Sequence, residues 1–300
     1  IPVPDYQLEV PTGSHARQTA AVLIGMEEIL LKEKPDVTLV YGDVTSTLAG
    51  ALASAKLHIP VTHVEAGIRT EARYNPEEIN RRITDHLSEL LLTNTEEATE
   101  ALLHEGFSKA DVVFTGDVMQ DILLHTVKSL GLELHRGDYH LATVHRAENV
   151  DSPDRLTEIV EGFVRSEQRI LFPVHPRTRK RLEEFGLLKR IESCKNIEVL
   201  PPAGYKEFVS LLAGCNKVLT DSGGVRREGY ILGKPVIVLI EITWFPAIAR
   251  AGWKRIVGAN REAIVEALRY FTPPAEHPPI FGNGDAHERI VDAILARFSE

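Results

Sequence analysis

The segment Thr220–Gly224 reads Thr-Asp-Ser-Gly-Gly after an apolar run, and these are residue types suited to a phosphate-binding turn. Glycines let backbone N–H groups approach a ligand closely, and the N-terminus of the helix predicted to follow favours an anion. Ser222 adds a hydroxyl donor beside Gly223 and Gly224. Glu228 lies about one and a half turns into that helix and is placed to reach a sugar hydroxyl. The pattern alone is equally typical of a plain helix cap with a glycine turn.

Two pairs of basic residues directly follow predicted strands. His145 and Arg146 come after Leu141–Val144, and His175 and Arg177 come after Ile170–Val174. An imidazole beside a guanidinium suits the binding of a diphosphate and a proton transfer. Solvated loop starts contain the same residue types, but two such pairs at successive strand ends are less expected by chance.

Carboxylates lie at three consecutive connections between predicted elements in the first half of the chain. Asp43 follows one predicted strand, Glu65 ends the next with Arg69 just beyond it, and Glu77 begins a helix. Carboxylates that crowd one edge of a cleft do not all ionise alike, which suits acid and base roles. For the neighbouring Glu78 we favour a simpler explanation, because acidic residues stabilise the first turn of a helix.

Helix and strand signals alternate along almost the whole chain, with a first helix predicted from Ser14 to Lys34. Continuous apolar strands covered on both faces favour an α/β fold of two Rossmann-like, doubly wound parallel-sheet domains facing across a cleft. We expect four strands in the first domain and five in the second. The predicted strands are Val37–Tyr41, Val61–Val64, Leu90–Leu92 and Val112–Phe114, then Leu141–Val144, Ile170–Val174, Ile197–Leu200, Val218–Thr220 and Val236–Leu239.

A break around residues 131–137 separates the two groups of strands. We therefore place an N-terminal domain at residues 1–134, joined by a C-terminal helix at 285–300. The second domain, which carries the phosphate-binding turn, occupies residues 135–284.

Composition narrows the class of protein. A net charge of -9 over 300 residues argues against a nucleic-acid partner, although a local basic pocket for a phosphate is compatible with it. No apolar run approaches the length of a membrane span, so we expect no membrane partner. Cys194 and Cys215 lack metal-ligand spacing, and with no signal peptide the expectation is a cytoplasmic protein with reduced thiols.

Eight motifs together resemble the non-hydrolysing UDP-N-acetylglucosamine 2-epimerases, and they occur in that family's order from about Pro11 to the C-terminus. Each motif is modest evidence, whereas the ordered set is specific. The motifs are Gly42-Asp43 with Thr45 and Thr47, HVEAGIRT at 63–70, NPEEINRR at 75–82, Thr84-Asp85-His86, VHRAEN at 144–149, VHPRT at 174–178, LPPAGYKEF at 200–208 and TDSGG at 220–224.

The resemblance implies a GT-B-like fold, a homodimer, and interconversion of UDP-N-acetylglucosamine and UDP-N-acetylmannosamine without an added cofactor, in the biosynthesis of cell-surface polysaccharides. It implies anti-elimination of UDP to 2-acetamidoglucal, followed by re-addition. Matched by motif, Asp43, Glu65, Glu77 and His145 are implied to be catalytic. The implied UDP-sugar ligands are Arg69, Arg146, His175, Ser222, Gly223, Gly224 and Glu228.

The chain departs from the family pattern in three places. The family's opening strand and Gly-Thr-Arg-Pro-Glu segment have no counterpart, so we expect this sequence to lack the family's N-terminal segment. Arg226 and Arg227 stand where the family carries Gln and Glu, and Ile240–Pro246 replaces an Arg-x-x-Thr-Glu stretch. These changes leave three alternatives open: a 2-epimerase of a related UDP-sugar such as a diacetamido uronic acid, a GT-B glycosyltransferase, and a catalytically impaired nucleotide-sugar binder.

Overall fold

The computed structural model describes residues 3–70, 74–241 and 244–299. Its contacts divide the chain into two compact units, residues 1–121 with 280–300 and residues 122–279. Each unit is built on an all-parallel sheet with helical connections, which confirms the predicted α/β class with two parallel-sheet domains.

The first unit has a sheet in the order β1-β2-β3-β4, with neighbouring strands parallel throughout. Ser14 caps its first helix by accepting a hydrogen bond from the amide of Arg17. The elements are α1 (His15–Glu33), β1 (Thr38–Tyr41), α2 (Thr45–Lys56), β2 (Val61–Ala66), α3 (Pro76–Leu87), β3 (Leu90–Thr93), α4 (Glu96–His104), β4 (Val112–Phe114), the start of α5 (Val118–Ser129) and, from the end of the chain, α14 (Ala286–Phe298).

The second unit has a larger sheet in the order β10-β9-β8-β5-β6-β7. The chain moves outward from β5 on one side and returns to β8 on the other, so the strand order reverses between β5 and β8. The elements are β5 (His140–Thr143), α6 (Ala147–Val150), α7 (Pro153–Ser166), β6 (Ile170–Pro173), α8 (Pro176–Glu184), α9 (Leu187–Glu192), β7 (Ile197–Leu200), α10 (Tyr205–Gly214), β8 (Val218–Thr220), α11 (Gly223–Ile231), β9 (Val236–Val238), α12 (Pro246–Arg250), β10 (Lys254–Ile256) and α13 (Arg261–Tyr270).

The expectation of five strands in the second sheet is wrong, because β10 adds a sixth. Its residues Lys254 and Arg255 interrupt the apolar pattern that identifies a buried strand. The strand is nevertheless formed, since it pairs with β9 at the edge of the sheet. The side chain of Lys254 is buried, and its ammonium donates to the carbonyl of Phe245 at 3.0 Å.

The helix α5 contains the boundary between the two compact units, which falls at Asp121/Ile122. Leu123 of this helix is fully buried in the core of the second unit together with Leu141 and Val218. At the other end of the chain, Ile290 of α14 packs on the first sheet with Leu90. The chain therefore passes from the first unit to the second within α5 and returns to the first unit before α14.

Among the described residues, no helix is both long and apolar enough to cross a membrane. Cys194 and Cys215 are both free thiols, and burial raises the pKa of the Cys215 thiol to about 12. A thiol held in its protonated form is a poor nucleophile.

Candidate functional site

Asp43 lies at the carboxyl end of β1 and is held by α3. The turn before it passes through Gly42, whose φ of 66° is in the left-handed region. The Asp43 carboxylate pairs with the guanidinium of Arg81, and its main-chain carbonyl accepts from the Asn80 amide at 2.9 Å. Two contacts from one helix thus fix both the backbone and the side chain of Asp43.

Glu65 has a strained backbone at the end of β2. Its φ is 69°, which is unfavourable for a residue with a Cβ, and the pairing of β2 with β3 is irregular between Val64 and Ala66. Such strain costs about 1–3 kcal/mol and is concentrated at functional sites. The strain directs the carboxylate toward the carboxyl edge of the sheet. There Oε1 accepts from Asn94 at 3.2 Å, and Oε2 lies 3.8 Å from the position of a Cβ on Gly42.

Glu77 and Glu78 behave differently although they are adjacent in the first turn of α3. Glu77 is exposed and lies one turn before Asn80 and Arg81, the residues that hold Asp43. Glu78 is 1% exposed. Glu78 occupies the first turn of α3 as expected, but its burial shows that it does more than a simple first-turn acid.

Glu78 instead joins α3 to the loop after β2. Its Oε2 accepts from the amide and the hydroxyl of Thr70, both at 3.1 Å, and from Arg81 at 2.6 Å. Its Oε1 accepts from Arg82 at 2.8 Å. A hydrogen-bonded hub of this kind keeps Arg81 in place beside Asp43.

Arg69, predicted to bind substrate, is engaged by two carboxylates of its own unit. Its guanidinium donates to Asp85 at 2.7 Å and to both oxygens of Glu105 at 2.8 and 2.7 Å. Only 13% of its side chain is exposed. In this arrangement Arg69 stabilises the loop that follows Glu65 and the end of β2.

In the second unit, His145 and Asp221 lie where the strand order reverses, at the carboxyl ends of β5 and β8. Ligands of doubly wound sheets bind at this switch point. Asp221 is fully buried, and its carboxylate accepts from the amides of His145 and Arg146 and from the side chain of Asn149. The carboxylate also lies 3.3 Å from Nδ1 of His145. We call His145, Arg146 and Asp221–Gly224 the switch-point cluster.

Ser222 caps α11, because its hydroxyl accepts from the amide of Val225 at 3.4 Å. The helix-cap interpretation of this segment is therefore right about its local structure. It does not compete with anion binding, since Gly223 and Gly224 begin a helix whose N-terminal amides favour a negative ligand. Ser222 also retains its hydroxyl hydrogen for donation.

Trp244 is a component of this region that the sequence motifs do not identify. Its indole ring lies against the start of α11, where a Cβ on Gly223 would fall 2.4 Å from the ring. The guanidinium of Arg146 lies 4.3 Å from the ring centroid and that of Arg226 lies 5.6 Å from it. Trp244 therefore stacks two cations over the helix terminus. Ile242 and Thr243 of the divergent stretch lie outside the described residues.

Arg226 is 1% exposed, so a full positive charge is buried next to the switch-point cluster. Burial, with a smaller contribution from Arg146, lowers the pKa of Arg226 to about 10. Two guanidiniums held close to each other in a partly dry environment repel. A bound anion would relieve this repulsion.

Glu228 is also buried, one turn along α11. Burial raises the pKa of its carboxyl, while a hydrogen bond from Tyr205 and the charge of Arg227 act in the opposite direction. Its position on the same helix as Ser222 fits an acceptor for a ligand hydroxyl.

His175 is the N-cap of α8 and accepts from the amide of Arg177 at 3.2 Å. Its ring lies 6.2 Å from that of His145, so the structure brings the two histidines together. Arg177 pairs with Asp151 on an exposed helix face. Within the described residues, no group of three His, Cys, Asp or Glu side chains is arranged to hold a metal ion.

The geometry can be compared with known proteins. The family model described as UDP-N-acetylglucosamine 2-epimerase matches residues 1–295. A Methanococcus maripaludis protein named UDP-N-acetylglucosamine 2-epimerase homolog is 44% identical, over 98% of this chain and 85% of its own length. The UDP-2,3-diacetamido-2,3-dideoxy-D-glucuronate 2-epimerase of Pseudomonas aeruginosa is 42% identical, over 98% of this chain and 84% of its own.

A solved structure has the same fold along almost the whole chain. The crystal structure of the Methanocaldococcus jannaschii UDP-GlcNAc 2-epimerase in complex with UDP-GlcNAc and UDP gives a TM-score of 0.85 at 41% identity. The match covers 99% of this chain and 85% of that protein.

Replacing Gly223 with alanine should displace Trp244, because the new methyl group would overlap the indole ring. We expect a shift in the fluorescence emission of Trp244, isolated by subtraction of a Trp244→Phe variant, and an affinity for inorganic pyrophosphate that is lower by about tenfold. In Gly224→Ala the methyl group meets only the Ser222 hydroxyl, at 3.9 Å, so the emission should not change. Equal emission spectra for Gly223→Ala and the unmodified protein would contradict this placement of Trp244.

Glu228→Gln should stabilise the protein at neutral pH. Because burial raises the pKa of Glu228 in the folded state, folding takes up protons between the unfolded and folded pKa values, and the free energy of unfolding falls as pH rises through that window. Glutamine removes this penalty, so thermal unfolding should show a gain in Tm at pH 7 that disappears near pH 4. The exposed Glu198→Gln serves as the control. A gain that grows toward low pH would show the opposite shift.

Proposed function

Because the chain belongs to the UDP-N-acetylglucosamine 2-epimerase family, we propose that it interconverts UDP-N-acetylglucosamine and UDP-N-acetylmannosamine. The reaction proceeds by elimination of UDP and its re-addition. The observation that carries the proposal is the match of fold and sequence, over 99% of the chain, to an epimerase solved with UDP-GlcNAc and UDP. The two units divide the chemistry, with proton transfer in the first and nucleotide binding in the second.

The switch-point cluster of the second unit binds the diphosphate. The amides at the start of α11 and the hydroxyl of Ser222 donate to phosphate oxygens, and Arg146 supplies a full positive charge. His145 and His175 lie close to each other at the ends of β5 and β6 and face the same ligand. Glu228 accepts from the ribose hydroxyls.

Breaking the bond between C1 of the sugar and the phosphate oxygen places negative charge on UDP. Donors fixed in advance by the fold stabilise such a charge without reorganising during the reaction. Arg146 and Arg226 are already held near the helix terminus by Trp244. The departing diphosphate therefore gains stabilisation as its charge develops, and this lowers the barrier to elimination.

Carboxylates of the first unit move the C2 proton. As one carboxylate takes this proton, the C2–H electron pair forms the C1–C2 double bond and the C1–O pair leaves with UDP, giving 2-acetamidoglucal. Protonation of C2 from the opposite face, with UDP returning to C1, gives the epimer. Two faces require two groups. Asp43 follows β1 and Glu65 lies at the end of the neighbouring strand β2, while Glu77 lies one turn before the residues that anchor Asp43. Every step is redox-neutral, so the route calls for no cofactor.

A second candidate substrate is a UDP-2,3-diacetamido uronic acid. It is favoured by the 42% identity to the Pseudomonas aeruginosa enzyme that is named for that sugar. The chemistry at C1 and C2 is the same, so only the sugar pocket differs. Homodimer assembly, a cytoplasmic location and a role in cell-surface polysaccharide biosynthesis stay predictions.

Incubation in deuterated water tests the function directly. The full-length protein should introduce deuterium at C2 of UDP-GlcNAc, followed by NMR, and a parallel incubation with the diacetamido uronate identifies the preferred substrate. Glu65→Gln should lower the exchange by about 10²–10⁴-fold, because it removes a group that carries the proton. Its calorimetric affinity for UDP should stay near that of the unmodified protein.

The control is Glu96→Gln, in the exposed first turn of α4. It should exchange deuterium at the normal rate. An absence of deuterium at C2 with both sugars would refute the proposed function. Normal exchange in Glu65→Gln would refute only the role of Glu65.

A further inference from the structure

His63 in β2 is a buried histidine that the proposed reaction does not use directly. Its side chain is fully buried, and both of its ring nitrogens have close partners. Nδ1 lies 2.7 Å from Oδ1 of Asp85, and Nε2 lies 2.7 Å from the carbonyl oxygen of Gly42.

The two partners determine how many protons the ring carries. The Gly42 carbonyl can only accept, so Nε2 must carry a hydrogen. The Asp85 carboxylate also accepts from the amide of Gly67 at 3.3 Å and from Arg69 at 2.7 Å, which is the pattern of an ionised carboxylate. A hydrogen on Nδ1 directed at this carboxylate would make the ring an imidazolium.

The balance of charge points the same way. His63 closes a continuous series of hydrogen-bonded groups that begins at Asp43 and returns to the residue before it. The series contains four carboxylates and three guanidiniums, so one further positive charge makes it neutral, as burial favours. In order, its members are Asp43, Arg81, Glu78, Arg82, Glu105, Arg69, Asp85, His63 and the Gly42 carbonyl.

The position of Gly42 shows the structural effect of the hydrogen bond from His63 to its carbonyl. Gly42 makes the turn that directs Asp43 away from β1, and its left-handed φ of 66° is not fixed by any side chain of its own. A charged donor on its carbonyl fixes the orientation of that peptide group. Arg81 and Asn80 hold Asp43 from the side of α3, and His63 holds it from the side of β2.

We propose that His63 is a positioning residue for Asp43, and that it carries a proton on each ring nitrogen in order to hold the Gly42–Asp43 turn. This inference rests on the proposed function, because Asp43 is a proton-transfer group of that reaction. A misplacement of about 1 Å at such a group costs about 10²-fold in rate.

Nitrogen NMR of the ¹⁵N-histidine-labelled protein tests the protonation state without any assay of activity. The His63 ring, assigned by its loss in His63→Phe, should show two protonated nitrogens at neutral pH. A His63 ring with one bare nitrogen would overturn the proposal. Asp85→Asn, which keeps the shape but removes the partner charge, should release one ring proton.

Kinetics tests the coupling to Asp43. His63→Phe should lower the rate of C2 exchange by about 10²-fold while the affinity for UDP stays unchanged, because nucleotide binding belongs to the second unit. In a double-mutant cycle, adding His63→Phe to Asp43→Asn should cost little more than Asp43→Asn alone. Losses that simply multiply would overturn the proposal, since His63 would then act independently of Asp43.

His104→Asn is the matched control, an exposed histidine in the last turn of α4 that should keep the normal rate. The experiments distinguish failure of the proposed function from failure of the positioning role of His63. If the unmodified protein exchanges no proton, the proposed function is wrong, and the nitrogen spectrum still decides the state of His63. If it exchanges normally and His63→Phe does too, only the positioning role is wrong.

Discussion

A fully buried carboxylate in each unit organises the segments that carry the candidate site residues. Asp85 belongs to the first unit and Asp221 to the second. An ionised carboxylate removed from water is strongly destabilising unless nearby donors satisfy it. In this chain the donors come from the site segments themselves. These segments therefore cannot move away without leaving a buried carboxylate that has lost its hydrogen-bond donors. The donors are His63, Gly67 and Arg69 around Asp85, and His145, Arg146 and Asn149 around Asp221.

This constraint explains how strained and repulsive features persist near the site. Glu65 has its left-handed backbone at an irregularity of β2, and the segment directly after it is held by the hydrogen bond from the Gly67 amide to Asp85. Arg146 and Arg226 remain close because both are bound by Asp221. The Asp221 carboxylate accepts from the backbone amide of Arg146, and the Asp221 main-chain carbonyl accepts from the guanidinium of Arg226 at 3.2 Å. A strained backbone or two repelling cations destabilise the free protein. They are useful in catalysis because they are already in position to stabilise charge that develops only during the reaction.

Much of the fold follows from the sequence, because parallel strands are continuous apolar runs with turn residues at their carboxyl ends. Nine strands are predicted for this reason. Residues whose role depends on tertiary partners escape such reasoning. Lys254 and Arg255 interrupt the apolar pattern of β10, so the sequence does not identify this strand. Glu78 looks like any first-turn acid in the sequence, and only the structure shows that Thr70 and Arg81 bind it. The sequence around Trp244 likewise gives no signal of its contact with Gly223.

Cleavage of the C1–O bond is the central claim, and positional isotope exchange measures it most directly. UDP-N-acetylglucosamine labelled with ¹⁸O in the bridge between C1 and the β-phosphorus is incubated with the full-length protein. The account predicts that label moves to the non-bridging β-phosphate oxygens during epimerisation, because the freed phosphate group rotates before UDP returns. Epimerisation at C2 with all of the label still in the bridge would contradict it.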